Sequence, residues 1–201
     1  MRRREFITLL GGAAAEWPLL ARAQQSERMR RIGVLMNFTA DDPEGQVRLK
    51  TFLQGLQRQG WTEGSNVRID VCWAGGHAER YRTCAAELVG STPDVILAGS
   101  GAALPALMET TQSVPIVFVQ TVDPVGAGWV ASLAAPGGNA TGFSQFEFSI
   151  GGKWLELLKQ IAPRLTRVVI LRDAGNSDGT AQFAAIQSAA RCRKSPKIRS
   201  G

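Results

Sequence analysis

Val95-Ile96-Leu97-Ala98 and Ile116-Val117-Phe118-Val119 decide the fold. Each is a short run that is apolar on both faces, which reads as a strand buried from two sides. Upstream, Arg31-Ile32-Gly33-Val34-Leu35-Met36 is a third such run. Val67, Ile69, Val71 and Trp73 alternate instead with Arg68, Asp70 and Cys72. One face of that strand is therefore wet, and it belongs near a sheet edge. Helical stretches lie between the runs. Leu49, Phe52, Leu53 and Leu56 recur at i, i+3, i+4 and i+7, with Gly60 as the stop. Residues 79–90 form a second helix and 102–111 a third, with Pro105 in its first turn. Val125–Leu133 is expected to be a short helix. Strands buried on both faces and joined by helices run parallel. The expected fold class is α/β, a doubly wound parallel sheet of order 2-1-3-4.

After the loop Ala135-Pro136-Gly137-Gly138-Asn139 the pattern restarts. A short strand is expected at Thr141–Ser144. Trp154, Leu155, Leu158 and Ile161 mark a helix that ends before Pro163. Arg167–Leu171 reads as a strand, and Phe183, Ile186 and Ala190 as one face of a last helix. Two strands and two helices cannot cover both faces of a sheet, so the second lobe reads as incomplete. The expected division is an export signal at 1–23, an N-terminal α/β lobe at 24–137, a partial second lobe at 138–190 and a disordered basic tail at 191–201.

The 201 residues are 44% hydrophobic and 20% charged, ordinary for a soluble globular protein. No stretch approaches the ~20 uncharged apolar residues of a membrane span. The net charge of +6 sits at the ends: residues 1–23 carry +2 and 191–201 carry +5, leaving −1 for 24–190. A nearly neutral body offers no basic stripe for a phosphate backbone, so no nucleic-acid partner is expected. Arg2-Arg3-Arg4, the apolar run Phe6–Ala15 and the small-x-small site Ala21-Arg22-Ala23 have the order of a secretory leader of twin-arginine type. The expected location is periplasmic. Cys72, Cys84 and Cys192 are odd in number, and Cys72 and Cys84 read as packed, unreactive thiols. Without His partners at ligand spacing, no metal site is expected.

In open α/β sheets ligands bind at the carboxyl ends of the strands. That rule selects Asn37-Phe38-Thr39 after the first strand, Gly99-Ser100-Gly101 after the third, Gln120-Thr121-Val122-Asp123-Pro124 after the fourth and Phe143-Ser144-Gln145 past the interlobe loop, and within them Asn37, Ser100, Gly101, Thr121 and Asp123 are the candidate ligand-binding residues. Gly99-Ser100-Gly101 is expected to open a helix whose free N–H groups attract a carboxylate, or else to be an ordinary cap. Asp123 either orders its own loop or meets a ligand amine. Gly99-x-Gly101 lacks the third glycine of a dinucleotide fingerprint, because Leu104 holds that place. Ser100 has no nucleophile-elbow pattern around it, and the one histidine, His77, lies in a Gly-Gly-His loop and reads as solvated. No catalytic residue, metal or cofactor is assigned.

Several segments together carry a family resemblance. They are Gly60-Trp61-Thr62-Glu63-Gly64-Ser65-Asn66-Val67, Ala86-Glu87-Leu88-Val89, Pro93-Asp94-Val95-Ile96, Asp123-Pro124-Val125, Ser132–Gly142 and Lys153-Trp154-Leu155-Glu156-Leu157-Leu158. With them, residues 31–172 resemble the ABC-transporter substrate-binding proteins of the tryptophan/tyrosine-uptake type, of type I periplasmic-binding-protein fold. The resemblance implies two lobes about a hinge, capture of a small amino-acid-like solute between them, and delivery to an ABC permease in the inner membrane. Past Arg191 the chain departs from the family's pattern and reads as truncated. Two other readings stay open: a cytoplasmic α/β enzyme of flavodoxin-like shape, and a nonfunctional remnant.

Overall fold

The computed structural model describes residues 29–147, 149–171 and 179–192. The expected leader and residues 193–201 of the expected tail lie outside the described residues. In chain order come β1 (Arg30–Met36), α1 (Pro43–Arg58), β2 (Val67–Trp73), α2 (Ala78–Gly90), β3 (Val95–Ala98), a 3-10 turn (Gly101–Ala103), α3 (Leu104–Thr110), β4 (Ile116–Thr121), β5 (Ala140–Ser144), α4 (Ile150–Ile161) and α5 (Thr180–Cys192). The five strands form one parallel sheet of order β2-β1-β3-β4-β5. The alternating strand β2 is at an edge, as its wet face requires.

The path of the chain explains why the two faces of the sheet differ. The step from β1 to β2 runs one way along the sheet, and the steps to β3 and β4 run back. Right-handed crossovers then put α1 on one face and α2 and α3 on the other. On the face under α2 and α3, Leu35, Ile96, Ala98, Ile116 and Phe118 are buried with Cys84, Leu88, Leu104 and Leu107. The alternate residues Val95, Leu97, Val117 and Val119 are only partly buried. Local signals set the helix ends. Asp42 caps α1 by accepting from the Glu44 and Gly45 amides, and Gly60 stops it at φ +85°. Asp94 anchors the start of β3 to β1, accepting from Arg30 Nη1 at 3.0 Å and the Arg31 amide at 2.9 Å.

Four expectations are corrected. Val125–Leu133 is a run of turns, not a helix: Asp123, Gly126 and Gly128 hold it with short-range bonds such as Gly128 N to Val125 O at 2.9 Å. Arg167–Leu171 is not a strand. It has no pairing partner among the described residues, and Leu171 is 95% exposed. Thr141–Ser144 is a strand, but it pairs with β4 and extends the first sheet past the break expected at 137/138. Gly142 allows this pairing, since a Cβ there would lie 2.0 Å from the Phe118 carbonyl oxygen. Lastly, Cys72 and Cys84 are not free thiols. They form a disulfide across a Cα–Cα distance of 5.6 Å, which staples edge strand β2 to α2.

Beyond the sheet, α4 and α5 pack on each other, with Gly151 against Ile186. Trp154, Leu157, Leu158 and Ile161 of α4 remain exposed or half-exposed. No helix among the described residues is long and apolar enough to cross a membrane.

Candidate functional site

Parallel strands bring their carboxyl ends to one edge, and the register aligns them. Leu35 pairs with Ala98 and Ala98 with Phe118, so Asn37, Ser100 and the segment 120–123 emerge side by side. All five residues selected from the sequence lie on this edge. Asn37 follows β1, Ser100 and Gly101 follow β3, Thr121 ends β4 and Asp123 begins the next turn.

Their hydrogen bonding sets them apart. Asn37 Oδ1, Ser100 Oγ, Thr121 Oγ1 and Asp123 Oδ2 are buried and have no hydrogen-bond partner among the described residues. An unsatisfied buried polar atom costs roughly 1–3 kcal/mol. Four on one rim form a set that a polar solute could satisfy. The two other such atoms lie elsewhere: Asp70 Oδ2, with Arg31 Nε at 3.6 Å, and Gln182 Nε2 on α5. Ser100 is extended and stands at the N-cap position of the turn, its carbonyl accepting from the Ala103 amide at 3.2 Å, while its hydroxyl makes no capping bond. The segment it opens is a 3-10 turn, and α3 begins only at Leu104. The expected helix N-terminus at Gly101 is thus corrected to a single tight turn. Asp123 does order its loop, accepting from the Gly126 amide through Oδ1 at 2.9 Å. Its second oxygen stays unpartnered.

Three residues support the site: Gln120 and Gly99 lie in segments that the sequence selects without assigning them a role, and Gly126 lies outside them. Gln120 is held at φ +57°, a left-handed conformation that costs a non-glycine residue of order 1 kcal/mol or more. It lies where the β4–β5 pairing shifts register between Phe118 and Thr121. The kink turns the end of β4 toward the rim, and no local sequence signal announces it. Gly126 leaves room for the Asp123 carboxylate, because a Cβ there would lie 2.0 Å from Oδ2. Gly99 lets β3 lie close to β1, a Cβ there meeting the Leu35 carbonyl oxygen at 3.0 Å.

The rim has an apolar side as well. Ser144 Oγ lies within 3.2 Å of the Thr121, Val122 and Phe146 carbonyl oxygens and ties the end of β5 to β4. Beside it Phe143 is 73% exposed, and Phe146 meets Trp154 of α4 edge-to-face at 5.9 Å. On the β1 side, the Arg48 guanidinium lies over the Phe38 ring at 5.1 Å. The Thr39 hydroxyl, then a backbone amide, holds the Asp41 carboxyl below its ordinary pKa. A cavity of about 390 Å³ runs under the rim between α1 and the sheet, lined by Val34, Phe52, Leu97 and Val119, with Gln120 at its wall. His77 is exposed and makes no side-chain cap on α2.

Comparison with known proteins gives the family and the fold. The profile of the family described as ABC transporter substrate binding protein matches residues 36–192. The tyrosine-binding protein of Clostridioides difficile (strain R20291) is 31% identical over 146 residues, covering 73% of this chain and 41% of that protein. Among solved structures, a conserved domain protein from Vibrio cholerae superposes with TM-score 0.74 at 28% identity, over 83% of this chain and 55% of that one. The ABC domain in complex with L-Trp from Streptococcus pneumonia gives TM-score 0.72 at 25% identity, over 82% and 54%. The chain spans about half the length of the relatives it matches.

Proposed function

The chain belongs to the ABC transporter substrate-binding protein family, and from that premise we propose that it captures an amino-acid-like solute, with an aromatic amino acid as the first candidate, for an ABC import system. The single observation that carries this is the row of four unpartnered buried polar atoms at the carboxyl ends of β1, β3 and β4. Their chemistry suits a zwitterion. Asp123 Oδ2 and Asn37 Oδ1 accept from an ammonium group, while the Ser100 and Thr121 hydroxyls donate to a carboxylate. Phe143, exposed at the end of β5, offers a face for an aromatic side chain. The tyrosine and L-Trp named in the relatives' descriptions support this class of ligand. The two-lobe reading makes 150–192 part of the second wall, which closes over the rim and excludes water.

The same reading gives the location and the partner. A disulfide persists in oxidising compartments, which supports the periplasm, and the partner is a permease in the inner membrane. Binding without turnover is the chemistry proposed. A serine nucleophile needs a base within hydrogen-bond reach, and Ser100 Oγ has no partner among the described residues.

Calorimetric titration of the purified chain with L-Tyr, L-Trp, L-Leu and benzoate tests the proposal. Saturable one-to-one binding of an aromatic amino acid is expected. Asp123→Asn and Asn37→Ala should each weaken it at least tenfold, about 1.4 kcal/mol. No saturable heat with any of the four, or unchanged affinity in both variants, overturns the reading.

A further inference from the structure

Away from the rim, the staple between β2 and α2 has a third member. Glu87 lies one turn along α2 from Cys84, and its Oε2 is 3.4 Å from Cys72 Sγ. A disulfide sulfur carries no proton, so this approach is a contact and not a hydrogen bond. The donor atoms of Cys72, Cys84 and Glu87 all lie within 4.8 Å of one another. Cys84 is fully buried and Cys72 is 6% exposed, while a cavity of about 530 Å³ borders Cys72 and Glu87 and has His77 and Arg80 on its wall. Arg80 is the cation paired with Glu87 among the described residues, its Nη1 3.7 Å from Glu87 Oε1. It engages that oxygen and leaves Oε2 on the sulfur side.

We propose that Cys72, Cys84 and Glu87 form a redox-gated site for a thiophilic divalent cation of the Zn²⁺ class, shut by the disulfide and opened when a dithiol reduces it. The dithiol transfers two electrons and two protons to the sulfur–sulfur bond and is itself oxidised to a disulfide. The two thiols formed then release their protons to solvent as the cation binds two thiolates and the Glu87 carboxylate.

Geometry favours this outcome. Thiolate and carboxylate donors on a tetrahedral zinc lie roughly 3.6–3.8 Å apart, within reach of side-chain rotation from the positions seen. Three donors leave a fourth place for water. The site joins the same two elements in either state, so β2 stays fastened to α2 by metal under reducing conditions and by a covalent bond under oxidising ones. The reading of Cys72 and Cys84 along the chain missed this, because Cys72 meets Cys84 and Glu87 only once α2 lies on β2.

The test uses the full chain carrying Cys192→Ser, so that Cys72 and Cys84 are its only sulfhydryl source. It is compared before and after reduction by a phosphine, which supplies the two electrons without competing for metal. Reduced protein should bind one equivalent of Co²⁺ with an intense thiolate-to-metal charge-transfer band, and Zn²⁺ should abolish the band by displacement. Oxidised protein and Cys84→Ser should show no band. Glu87→Gln keeps the disulfide, so its oxidised circular dichroism should match the parent, while its reduced affinity for Co²⁺ falls roughly tenfold. No band in reduced protein, folded or not, overturns the proposal, as does an equal band in Cys84→Ser. Unchanged affinity in Glu87→Gln overturns the three-donor site.

Discussion

The sheet at 30–144 and the segment at 150–192 are built from similar sequence and end differently. Val95–Ala98 and Arg167–Leu171 are both short, apolar and rich in β-branched residues. The first has β1 and β4 on either side and helices above and below, and Ile96 and Ala98 are fully buried. The second has no paired neighbour among the described residues, and Val169 and Leu171 are 84% and 95% exposed. An apolar run becomes a strand only when another strand takes up its backbone N–H and C=O groups. Helices satisfy their own, which is why α4 and α5 form while 167–171 has no paired neighbour among the described residues.

Mutations at matched positions break or sharpen this contrast. Phe118→Ala, in the fully buried core, should lower unfolding free energy in urea by about 3–5 kcal/mol. Leu171→Ala should change it by less than about 0.5 kcal/mol. Equal losses at the two sites would mean that 165–171 is packed in solution. Next in size is the staple. Opening Cys72–Cys84 frees a loop with a sequence separation of 12, and Cys84→Ala should cost close to 3 kcal/mol in the same assay. Gly142→Ala forces a Cβ against the Phe118 carbonyl and should cost about 1–3 kcal/mol. Gly152→Ala has only Ala189 Cβ at 3.6 Å to meet, and should gain about 0.5–1 kcal/mol of helix stability.

Smaller effects come from the helix starts. Asp42→Ala removes two accepted amide bonds and should cost about 1 kcal/mol, whereas Ser149 makes no side-chain cap and Ser149→Ala should be silent. The smallest is a pH effect at Asp41, whose folded pKa is depressed by the Thr39 hydroxyl. A depressed carboxyl stabilises above its unfolded pKa of about 3.9 and loses that contribution as pH falls through the folded value. Acid titration of Asp41→Asn should lack this component.

What the sequence made legible follows the same line. Four strands, the order 2-1-3-4 and the helices between them could be read because between 31 and 119 the apolar runs, the alternation of β2 and the helical periodicity of the connections agree on one parallel sheet. The rim residues could be read because strand ends are a topological consequence. The partner of Thr141–Ser144 was not legible, since a short strand with one glycine says nothing of which sheet it joins. Val125–Leu133 misled because its apolar residues suggested a helix, while Asp123, Gly126 and Gly128 bend it into turns. The Cys72–Cys84 link and the left-handed Gln120 arise from three-dimensional approach, and neither leaves a local mark.

Of the side chains proposed to touch solute, Asn37, Ser100 and Asp123 sit past the ends of their strands and Thr121 and Phe143 at the ends of theirs, while Phe118, Ile96 and Leu35 carry the packing beneath. Appetite for a given molecule can therefore drift over generations without disturbing the foundation. A lineage that duplicates such a chain inherits a scaffold on which new tastes can be tried at little risk to folding.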